Sequence, residues 1–215
     1  MVMEVIRLND ANQGQLVARA AEVLRADGVI LYPTDTLYGL GADAFSDAAF
    51  RKVCEIKDRD ERRPIHAVFE NLAMAEAYAD ISSPGRRLAE AFLPGPLTLV
   101  FKKKPSVTAG IGHNLSSIGV RIPKNKFCLA LAHEFGKPYT TTSANMSGAE
   151  PPATFEGIIK QLGANTELID LAIEGGALPA YLRSTVVDVR NDKPHVLREG
   201  AISSAEIGKA VGVEL

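Results

Sequence analysis

An alternation of short apolar segments with longer amphipathic ones constrains this chain more than any other feature of its sequence. The short segments are bounded by Gly, Pro and polar residues, as buried strands usually are, and the longer ones repeat apolar residues at helical spacing. Strands that alternate with helices predict a layered α/β domain. Because the strands predicted near the C-terminus follow one another closely, we expect antiparallel pairs among them and therefore a mixed sheet.

The predicted elements follow one another along the chain without a repeat or a long linker. Strands are predicted over residues 2–8, 29–32, 64–69, 97–101, 118–122, 139–142, 168–173, 185–189 and 195–198. Helices are predicted over residues 12–27, 46–56, 125–135 and 154–162. Two further helices are indicated by Pro84 in a first turn and by a capping box of Ser203 and Glu206.

Length and charge fit a globular domain with an ordinary core. The 215 residues include 24 Lys and Arg against 26 Asp and Glu, which gives a net charge of −2. That balance argues against a constitutive nucleic-acid binder, which usually carries a clear positive excess, although a local basic patch would fit it. With no Trp and 6% aromatic residues, broad stacking on bases is a poor hypothesis.

The N-terminus and the cysteines indicate the compartment. The first residues lack the apolar core of a secretory signal, and no stretch of about 18 apolar residues occurs. Cys54 and Cys128 both lie in apolar helical patterns. We therefore expect a soluble cytoplasmic protein, without membrane association, that contains two buried reduced thiols.

Several common catalytic motifs are missing from the sequence. It has no GxxxxGK[ST] loop, no GxSxG elbow and no Cys or Cys/His cluster that could bind zinc. The four histidines are isolated along the chain, so each is expected to have a structural or surface role. The hydroxyl and guanidinium groups that remain bind anions, and they suit transfer chemistry that depends on positioning and charge stabilisation.

Two polar segments at the ends of predicted strands are candidate anion sites. Residues 32–41 run from a strand into hydroxyls, one carboxylate and two glycines, and predict either a Gly-rich turn or a close approach to a ligand. Residues 57–64 interleave four basic side chains with acids. They predict a self-compensating solvated loop, or a polyphosphate site if Lys57 and Arg59 turn inward while the acids stay in solvent.

Two further groups of polar residues complete the candidate site. Residues 140–148 begin with four consecutive hydroxyl side chains, and Ser143 and Asn145 can present donors to phosphate or carboxylate oxygens. Arg121 lies in an otherwise apolar strand, so its guanidinium needs a partner or a ligand. Distributed candidates near predicted strands are Ser117, Ser184 and Arg198.

Taken together, these segments resemble the YrdC/TsaC family of threonylcarbamoyl-AMP synthases. The motifs that carry the resemblance are PTDTLYGLG (33–41), KDR (57–59), PGPLT (94–98), VRIP (120–123), TTSANMSG (141–148), STVVDV (184–189) and LREGAI (197–202). The sequence has both the Lys-x-Arg and the Ser-x-Asn pair, which the YciO-like branch of the superfamily lacks. The resemblance implies a twisted mixed sheet surrounded by helices, with a deep concave cavity, in a single catalytic domain over residues 1–215 without an additional C-terminal domain.

The resemblance also implies a reaction. L-threonine, bicarbonate and ATP, with Mg²⁺, give threonylcarbamoyl-AMP and pyrophosphate, and a separate tRNA threonylcarbamoyl transferase complex uses the product to modify tRNA. The threonine nitrogen takes up CO₂ and the resulting carboxylate attacks the α-phosphorus, so no general base is expected for that attack. No residue of this sequence is assigned as a metal ligand.

The resemblance assigns roles to individual residues. Lys57, Arg59 and Ser143 are the expected catalytic residues. The expected ATP ligands are Lys57, Arg59, Arg63, Ser117, Ser143, Asn145 and Arg198. The expected threonine ligands are Thr36, Arg121, Thr141 and Ser184.

Two departures from the family pattern concern the loop after Lys57 and the strand that follows it. Asp60 and Arg63 change the charge of the loop. Many relatives carry a histidine at the position of Val68, whereas here His66 lies two residues earlier on the same side of the strand. From the sequence alone, His66 either takes over that position or has a separate role.

The alternative function is a double-stranded RNA-binding or ribosome-maturation factor. It is suggested by the basic residues between 57 and 63 together with Lys102, Lys103 and Lys104. Such a protein would bind tRNA or double-stranded RNA weakly, through phosphate contacts that salt disrupts.

Overall fold

The computed structural model describes residues 3–113, 115–178 and 182–214, and eleven strands of these residues form one sheet. They are β1 (Glu4–Arg7), β2 (Ile30–Pro33), β3 (Tyr38–Gly41), β4 (His66–Val68), β5 (Ala79–Asp80), β6 (Leu97–Lys103), β7 (Ser117–Arg121), β8 (Tyr139–Ser143), β9 (Leu171–Glu174), β10 (Thr185–Asp188) and β11 (His195–Arg198). Their order across the sheet is β1-β9-β2-β3-β8-β4-β7-β6-β10-β11, with β5 paired to β6.

Parallel and antiparallel pairs occur in the same sheet, which confirms the predicted mixed topology. The pairs β1–β9, β2–β9, β4–β7 and β6–β10 are parallel. The pairs β2–β3, β3–β8, β4–β8, β5–β6, β6–β7 and β10–β11 are antiparallel. The closely spaced late strands β10 and β11 therefore pair as their spacing predicts.

Seven α-helices of the described residues pack on the sheet. They are α1 (Gln13–Arg25), α2 (Asp47–Lys57), α3 (Leu72–Glu76), α4 (Ser83–Phe92), α5 (Lys126–Phe135), α6 (Phe155–Leu162) and α7 (Ser204–Val211). Side-chain caps fix where several of them begin: Ser46 accepts a hydrogen bond from Ala49 N at 3.2 Å, and Ser203 forms the predicted capping box with Glu206. The α5 helix ends at Gly136, whose φ of 76° suits a glycine.

Two hydrophobic clusters lie on opposite faces of the sheet. Residues at alternate strand positions, such as Leu40 and Val120, pack on one face against α2, α4, α6 and α7. On the other face, α1 and α5 pack over the half of the sheet near β1, where they bury Tyr32 and Val68. Both layers follow from the period-two pattern of the strands. Since α1 and α5 cover only half of their face, the polar side chains at several strand ends lie beside these helices on the uncovered part.

The main difference from the predicted elements is β3. The glycine-rich segment, taken alone, predicts a turn, but most of it is a strand that pairs with β2 and β8. Gly41 serves packing, because a Cβ atom there would lie 2.9 Å from the ring of Tyr32. The turn is confined to residues 34–37, where the Thr34 hydroxyl donates to the Leu37 carbonyl at 2.7 Å. The sequence pattern also misses the short elements α3 and β5.

The two thiols are buried, as the sequence pattern predicts. Cys54 and Cys128 are buried and form no disulfide. Burial raises the pKa of the Cys54 thiol to about 11 and that of the Cys128 thiol to about 12, so both stay protonated at neutral pH. None of the helices in the described ranges combines the length and the apolar character that crossing a membrane requires.

Candidate functional site

A cavity of about 270 Å³ opens on the sheet face that α1 and α5 partly cover. Side chains two residues apart on a strand point to the same face, so each strand supplies the cavity floor at alternate positions. Thr141 and Ser143 of β8, His66 of β4 and Arg121 of β7 contribute to it in this way. Loops at the strand ends supply the walls.

The charged groups of the lining are mostly basic. They are Lys57, Arg59, Arg121, Arg183, Arg198 and Glu150. Most of the remaining polar groups are threonine and serine hydroxyls from the hairpin β2–β3, from β8 and from the segment before β10. Five cations against one carboxylate, beside many hydroxyl donors, make this cavity an anion site.

Lys57 ends α2 and is almost fully buried, with 2% of its surface exposed. Its ammonium donates to the carbonyl oxygens of Ser143 and Asn145, the latter at 2.7 Å, and to Asn145 Oδ1 at 3.3 Å. The Ser147 N–H donates back to the Lys57 carbonyl at 2.7 Å. Because an ammonium has three donors, Lys57 uses all of them to fasten the end of α2 to the loop after β8.

The Asn145 side chain also forms all of its hydrogen bonds with this loop and with Lys57. Its amide nitrogen donates to the carbonyls of Met146 at 2.8 Å and Ala149 at 2.7 Å. Its Oδ1 accepts from the Ser143 hydroxyl and from the Lys57 ammonium. These bonds use both amide hydrogens and both lone pairs of the side chain. In this structure, Asn145 therefore shapes the loop and presents Ser143 to the cavity.

The electrostatic state of Lys57 depends on what the cavity contains. Burial lowers the pKa of Lys57 to about 7, and the guanidinium groups of Arg59 and Arg183 act in the same direction. The oxygen acceptors around its ammonium oppose this shift because they favour the charged form. A bound anion would favour the charged form further, so anion binding and protonation of Lys57 are coupled.

The loop after Lys57 turns Arg59 towards the cavity and keeps its acidic side chains in solvent. Arg59 is partly buried, lines the cavity and donates to the Pro64 carbonyl at 3.0 Å. Asp60 is exposed and pairs with Arg62 in solvent at 2.6 Å. This is the arrangement that the polyphosphate interpretation requires. The solvated-loop interpretation describes only the outer part of the segment.

Two buried nitrogen atoms at the cavity lack a hydrogen-bond partner. Among the described residues, Arg59 Nε and Arg121 Nε are the buried side-chain nitrogen or oxygen atoms in this state. An unpaired buried donor costs free energy, so nearly all such groups in folded proteins find an acceptor. Because both side chains line the cavity, a ligand bound there can supply the missing acceptors.

Arg121 has a protein partner as well as this spare donor. Its Nη2 donates to Asp35 Oδ1 and, at 2.6 Å, to the Thr36 hydroxyl. The Asp35 carboxylate also accepts from the Lys124 N–H at 2.9 Å. The ion pair is buried, with 8% of the Arg121 side chain and 10% of the Asp35 side chain exposed. The tip of the β2–β3 hairpin therefore fixes the plane of this guanidinium.

Ser184 and Arg198 form the opposite wall. The Ser184 hydroxyl hydrogen-bonds to the buried Thr98 hydroxyl at 3.0 Å. Arg198 donates to the Ser184 carbonyl at 2.8 Å and to its hydroxyl at 3.3 Å. Burial lowers the pKa of Arg198, and the charges of Arg183 and Arg121 act in the same direction. Arg198 stays charged at neutral pH because a guanidinium starts from a very high pKa, so several like charges converge on one cavity.

His66 lines the cavity, whereas Val68 is buried in the cluster under α1 and α5. The two residues share one face of β4, as strand alternation predicts, but the helices reach only Val68. Gly119 on β7 makes room for the imidazole, because a Cβ atom there would lie 2.3 Å from His66 Cδ2. A histidine is thus present in the cavity, two residues before the position at which the family resemblance leads us to expect one.

The imidazole of His66 is neutral at physiological pH. Burial lowers the pKa of His66 to about 3, and the guanidinium groups of Arg198, Arg121 and Arg59 act in the same direction. A neutral imidazole offers one donor and one acceptor. It can therefore bind a substrate without adding to the positive charge.

The structure brings together most of the residues that the sequence singles out. Those that line the cavity are Thr36, Lys57, Arg59, Arg121, Thr141, Ser143, Asn145, Ser184 and Arg198. Arg63 is exposed, and Ser117 begins β7 at the end remote from Arg121. Both lie in the described ranges but outside this lining, so their ATP contacts stay predictions.

Among the residues that shape the cavity without a sequence assignment, Asp35, Thr98 and Arg183 show why the sequence misses them. Asp35 lies inside a recognised motif, but only the contact between the hairpin and β7 shows that it holds Arg121. Thr98 lies on a strand as an ordinary β-former, and its partner Ser184 is far away in sequence. Arg183 is a single arginine without a local pattern, so the sequence contains no signal for it.

The donor set suits phosphate and carboxylate oxygens better than a metal ion bound by protein alone. In the ranges that the structure covers, no three His, Cys, Asp or Glu side chains are grouped so that they could hold a metal ion. Mg²⁺ at nucleotide sites is usually bound by one or two carboxylates together with the phosphates of the substrate. Glu150 is the carboxylate of this lining, so a Mg²⁺ ion here would take most of its ligands from a bound phosphate and from water.

Comparison with known proteins gives matches over most of the chain. A family model for Sua5/YciO/YrdC, described as telomere recombination, matches residues 22–200. The threonylcarbamoyl-AMP synthase of Bacillus subtilis (strain 168) is 33% identical over 205 residues, which cover 91% of this chain and 56% of that protein. The threonylcarbamoyl-AMP synthase of Klebsiella pneumoniae is 29% identical over 182 residues, which cover 83% of this chain and 96% of that protein.

A solved structure extends the likeness to the fold. The crystal structure of Pyrococcus abyssi Sua5 complexed with L-threonine matches with a TM-score of 0.87 and 29% sequence identity. The match covers 99% of this chain and 61% of that one. The present chain therefore spans less than two thirds of the B. subtilis and P. abyssi proteins, but nearly all of the K. pneumoniae protein.

Proposed function

The chain belongs to the Sua5/YciO/YrdC family, and on that premise we propose that it is an L-threonylcarbamoyladenylate synthase. It joins L-threonine, bicarbonate and ATP into threonylcarbamoyl-AMP and releases pyrophosphate. The product serves the threonylcarbamoyladenosine modification of tRNA, for which a separate transferase complex transfers the threonylcarbamoyl group. The transferase partner and the cytoplasmic location stay predictions from the sequence.

The observation that carries this proposal is the pair of unpartnered nitrogens, Arg59 Nε and Arg121 Nε, in one cavity. Each guanidinium is fixed through its Nη2 by protein oxygens, so its orientation does not depend on a ligand. Arg59 lies in a loop with other cations, and Arg121 lies beside hydroxyl groups. Two preformed anion sites suit an enzyme that combines a nucleoside triphosphate with the carboxylate of an amino acid.

The Arg121 side of the cavity is assigned to threonine. Asp35 and Thr36 hold the Arg121 guanidinium, and its remaining donors are available to the substrate carboxylate. The hydroxyls of Thr36, Thr141 and Ser184 line the same cavity and offer partners for the amine and hydroxyl of threonine.

The Arg59 side is assigned to the ATP phosphates. Arg59 donates to phosphate oxygens there, and Arg198 joins it from the wall that it shares with Ser184. The Ser143 hydroxyl contacts a phosphate oxygen when its proton turns away from Asn145 Oδ1. Lys57 and Asn145 hold the loop that carries Ser143, so they act by positioning, and Lys57 adds positive charge when it is protonated. In the free protein these bonds occupy Lys57 and Asn145, and the direct phosphate contacts that the family pattern implies for them stay predictions.

The reaction needs two bond-forming steps. The threonine nitrogen bonds to the carbon of bicarbonate, water leaves, and one proton of the former ammonium passes to solvent. A carbamate oxygen then attacks the α-phosphorus, the bond to the β-phosphate oxygen breaks, and pyrophosphate leaves with the electron pair. Negative charge develops on phosphate oxygens that Arg59 and Arg198 face, and this favours the transition state. Mg²⁺ carried on ATP would neutralise part of the same charge.

Most of the basic residues behind the RNA-binding alternative have other contacts, whereas Arg63 and Lys102 are exposed. The ammonium groups of Lys103 and Lys104 donate to the backbone carbonyls of Val107 and Glu76. Lys57 is buried, and Arg62 is paired with Asp60. A phosphate backbone would have to displace these partners, so the structure favours a small-molecule anion site over an RNA surface.

The proposed function is tested by pyrophosphate release from ATP in the presence of L-threonine and bicarbonate. We expect release that requires threonine, and an Arg121→Gln variant whose KM for threonine rises at least about tenfold while its KM for ATP changes little. Arg86→Gln is the control, because Arg86 on α4 forms an exposed ion pair with Glu76 at the end of α3. Folded wild-type protein that releases no pyrophosphate in response to threonine would contradict the proposal.

A further inference from the structure

Arg183 is the cation of the cavity to which the preceding roles assign no substrate. It lies directly before Ser184, and 42% of its side chain is exposed. Its guanidinium donates to Glu150 Oε2 at 3.1 Å. Glu150 follows the loop after β8 and is 90% exposed. The pair thus joins two segments that both line the cavity.

The backbone of Arg183 is fixed, although its side chain is held loosely. Its carbonyl accepts a hydrogen bond from the Ala201 N–H at 2.9 Å. Gly200 packs so closely that a Cβ atom there would lie 2.2 Å from this carbonyl oxygen. The backbone that bears the guanidinium is therefore held in place, and the guanidinium itself is hydrogen-bonded to an exposed carboxylate. Exposed ion pairs contribute little free energy, so this partner can be exchanged at small cost.

Three of the other cations of the cavity are tied more firmly. All three donors of Lys57 are used by the loop after β8. Arg121 is held in a buried ion pair with Asp35, and Arg198 donates twice to Ser184. Arg59 makes one hydrogen bond and is already assigned to phosphate. Among the cations of this lining that have no such role, Arg183 is the one that can most easily turn to a ligand.

Arg183 is also close enough to the other cations to affect them. Its charge contributes to the lowered pKa of Lys57 and to that of Arg198. An anion placed among these three groups would replace mutual repulsion by attraction. The triphosphate of ATP supplies several negative charges for such a position.

We propose that Arg183 binds the phosphate chain of ATP and that Glu150 competes with the nucleotide for it. This inference rests on the proposed function and adds a ligand to its phosphate site. In the free protein, Glu150 holds the guanidinium at the cavity. On binding, phosphate oxygens replace the carboxylate, which a planar guanidinium can accept as bidentate partners. Glu150 lowers ATP affinity by competing for Arg183 and by repelling the phosphates.

Two substitutions should change ATP affinity in opposite directions. Arg183→Gln removes the phosphate contact and should raise the Kd for ATP at least about fivefold. Glu150→Gln releases Arg183 and should lower that Kd about twofold or more. Both are measured by titration calorimetry with ATP and Mg²⁺. The Kd for L-threonine should stay within about twofold of wild type in both variants, since Arg121 recognises the amino acid.

The double variant and a matched pair serve as controls. In Arg183→Gln/Glu150→Gln the gain from the Glu150 substitution should disappear, because it acts through Arg183. Arg86→Gln and Glu76→Gln remove an exposed pair that joins α4 to α3 at 2.7 Å, and should leave the Kd for ATP unchanged.

An unchanged ATP Kd in folded Arg183→Gln would overturn the inference. So would a raised Kd in Glu150→Gln, which would mean that Glu150 supports the nucleotide or its Mg²⁺. If Arg183→Gln does not fold, Arg183→Lys replaces it and should bind ATP more weakly than wild type, because an ammonium cannot bind bidentately. Wild-type protein that does not bind ATP would contradict the proposed function itself, so the two failures are distinguishable.

Discussion

Asp35 and Arg121 form a buried ion pair that joins the tip of the β2–β3 hairpin to β7. The pair explains how an arginine is accommodated in an apolar strand. It also leaves Arg121 Nε without a protein acceptor among the described residues. A charged side chain is thus both neutralised by the fold and available to a ligand.

Asp35→Asn should lower the free energy of unfolding by about 3 kcal/mol, because it leaves the buried Arg121 charge without its counter-ion. Urea denaturation followed by circular dichroism measures this change. Combining it with Arg121→Gln should restore part of the stability, since the uncompensated charge is then gone. Additive losses in the double variant would show that the two groups do not act as a pair.

Lys57→Ala and Arg59→Ala should both lower pyrophosphate release at least about tenfold, but for different reasons. Lys57→Ala leaves the carbonyls of Ser143 and Asn145 without their donor, so thermal stability should fall as well. Arg59 makes one hydrogen bond to the Pro64 carbonyl, so its loss should change the free energy of unfolding by about 1 kcal/mol or less. Equal stability of the two variants would argue against the positioning role of Lys57.

ATP binding should be accompanied by proton uptake near neutral pH. Burial lowers the pKa of Lys57 to about 7, while its three oxygen acceptors favour the charged form, so part of the population is neutral between pH 7 and 8 in the free protein. Bound phosphates favour the charged form and raise this pKa, so Lys57 takes up a proton in that window. Below about pH 6 Lys57 is already protonated and its uptake should vanish.

Calorimetry in two buffers of different ionisation enthalpy measures this uptake. Lys57→Met is the control, because it keeps much of the apolar stem and removes the titrating group. Equal uptake in wild type and in this variant would contradict the assignment of the proton to Lys57.

Gly119→Ala should destabilise the protein by about 1–3 kcal/mol, since its Cβ would meet the imidazole of His66 at 2.3 Å. Adding His66→Ala removes the imidazole atoms that would clash with this Cβ, so the double variant should recover most of the lost stability. Chemical denaturation of the single and double variants gives the coupling. If the Gly119 substitution costs the same with and without His66, the close packing of these two residues is not what requires a glycine.

The elements that the sequence predicts best are those with a local physical cause. Ser46 and Ser203 cap helices through residues only three positions away, and Gly136 ends α5 for the same local reason. The antiparallel pairing of β10 with β11 follows from a short connection. The insertion of β8 between β3 and β4 has no local signal, because it depends on contacts between residues far apart in the chain.

The site shows the same division. Strand alternation and the polar strand ends lead to Arg121, Thr141 and Ser143 from the sequence. The hydrogen bonds of the Asn145 side chain within its own loop are visible only in the structure, since the acceptors are the backbone carbonyls of Met146 and Ala149. The exposed position of Arg63 also depends on how the loop folds, which its charge pattern does not determine.

The most direct measurement is detection of the product by mass spectrometry after incubation with ATP, L-threonine and isotopically labelled bicarbonate. The account predicts threonylcarbamoyl-AMP that carries the bicarbonate label, formed together with pyrophosphate and only when threonine is present. ATP hydrolysis without a labelled adenylate, or an adenylate that forms without threonine, would contradict it.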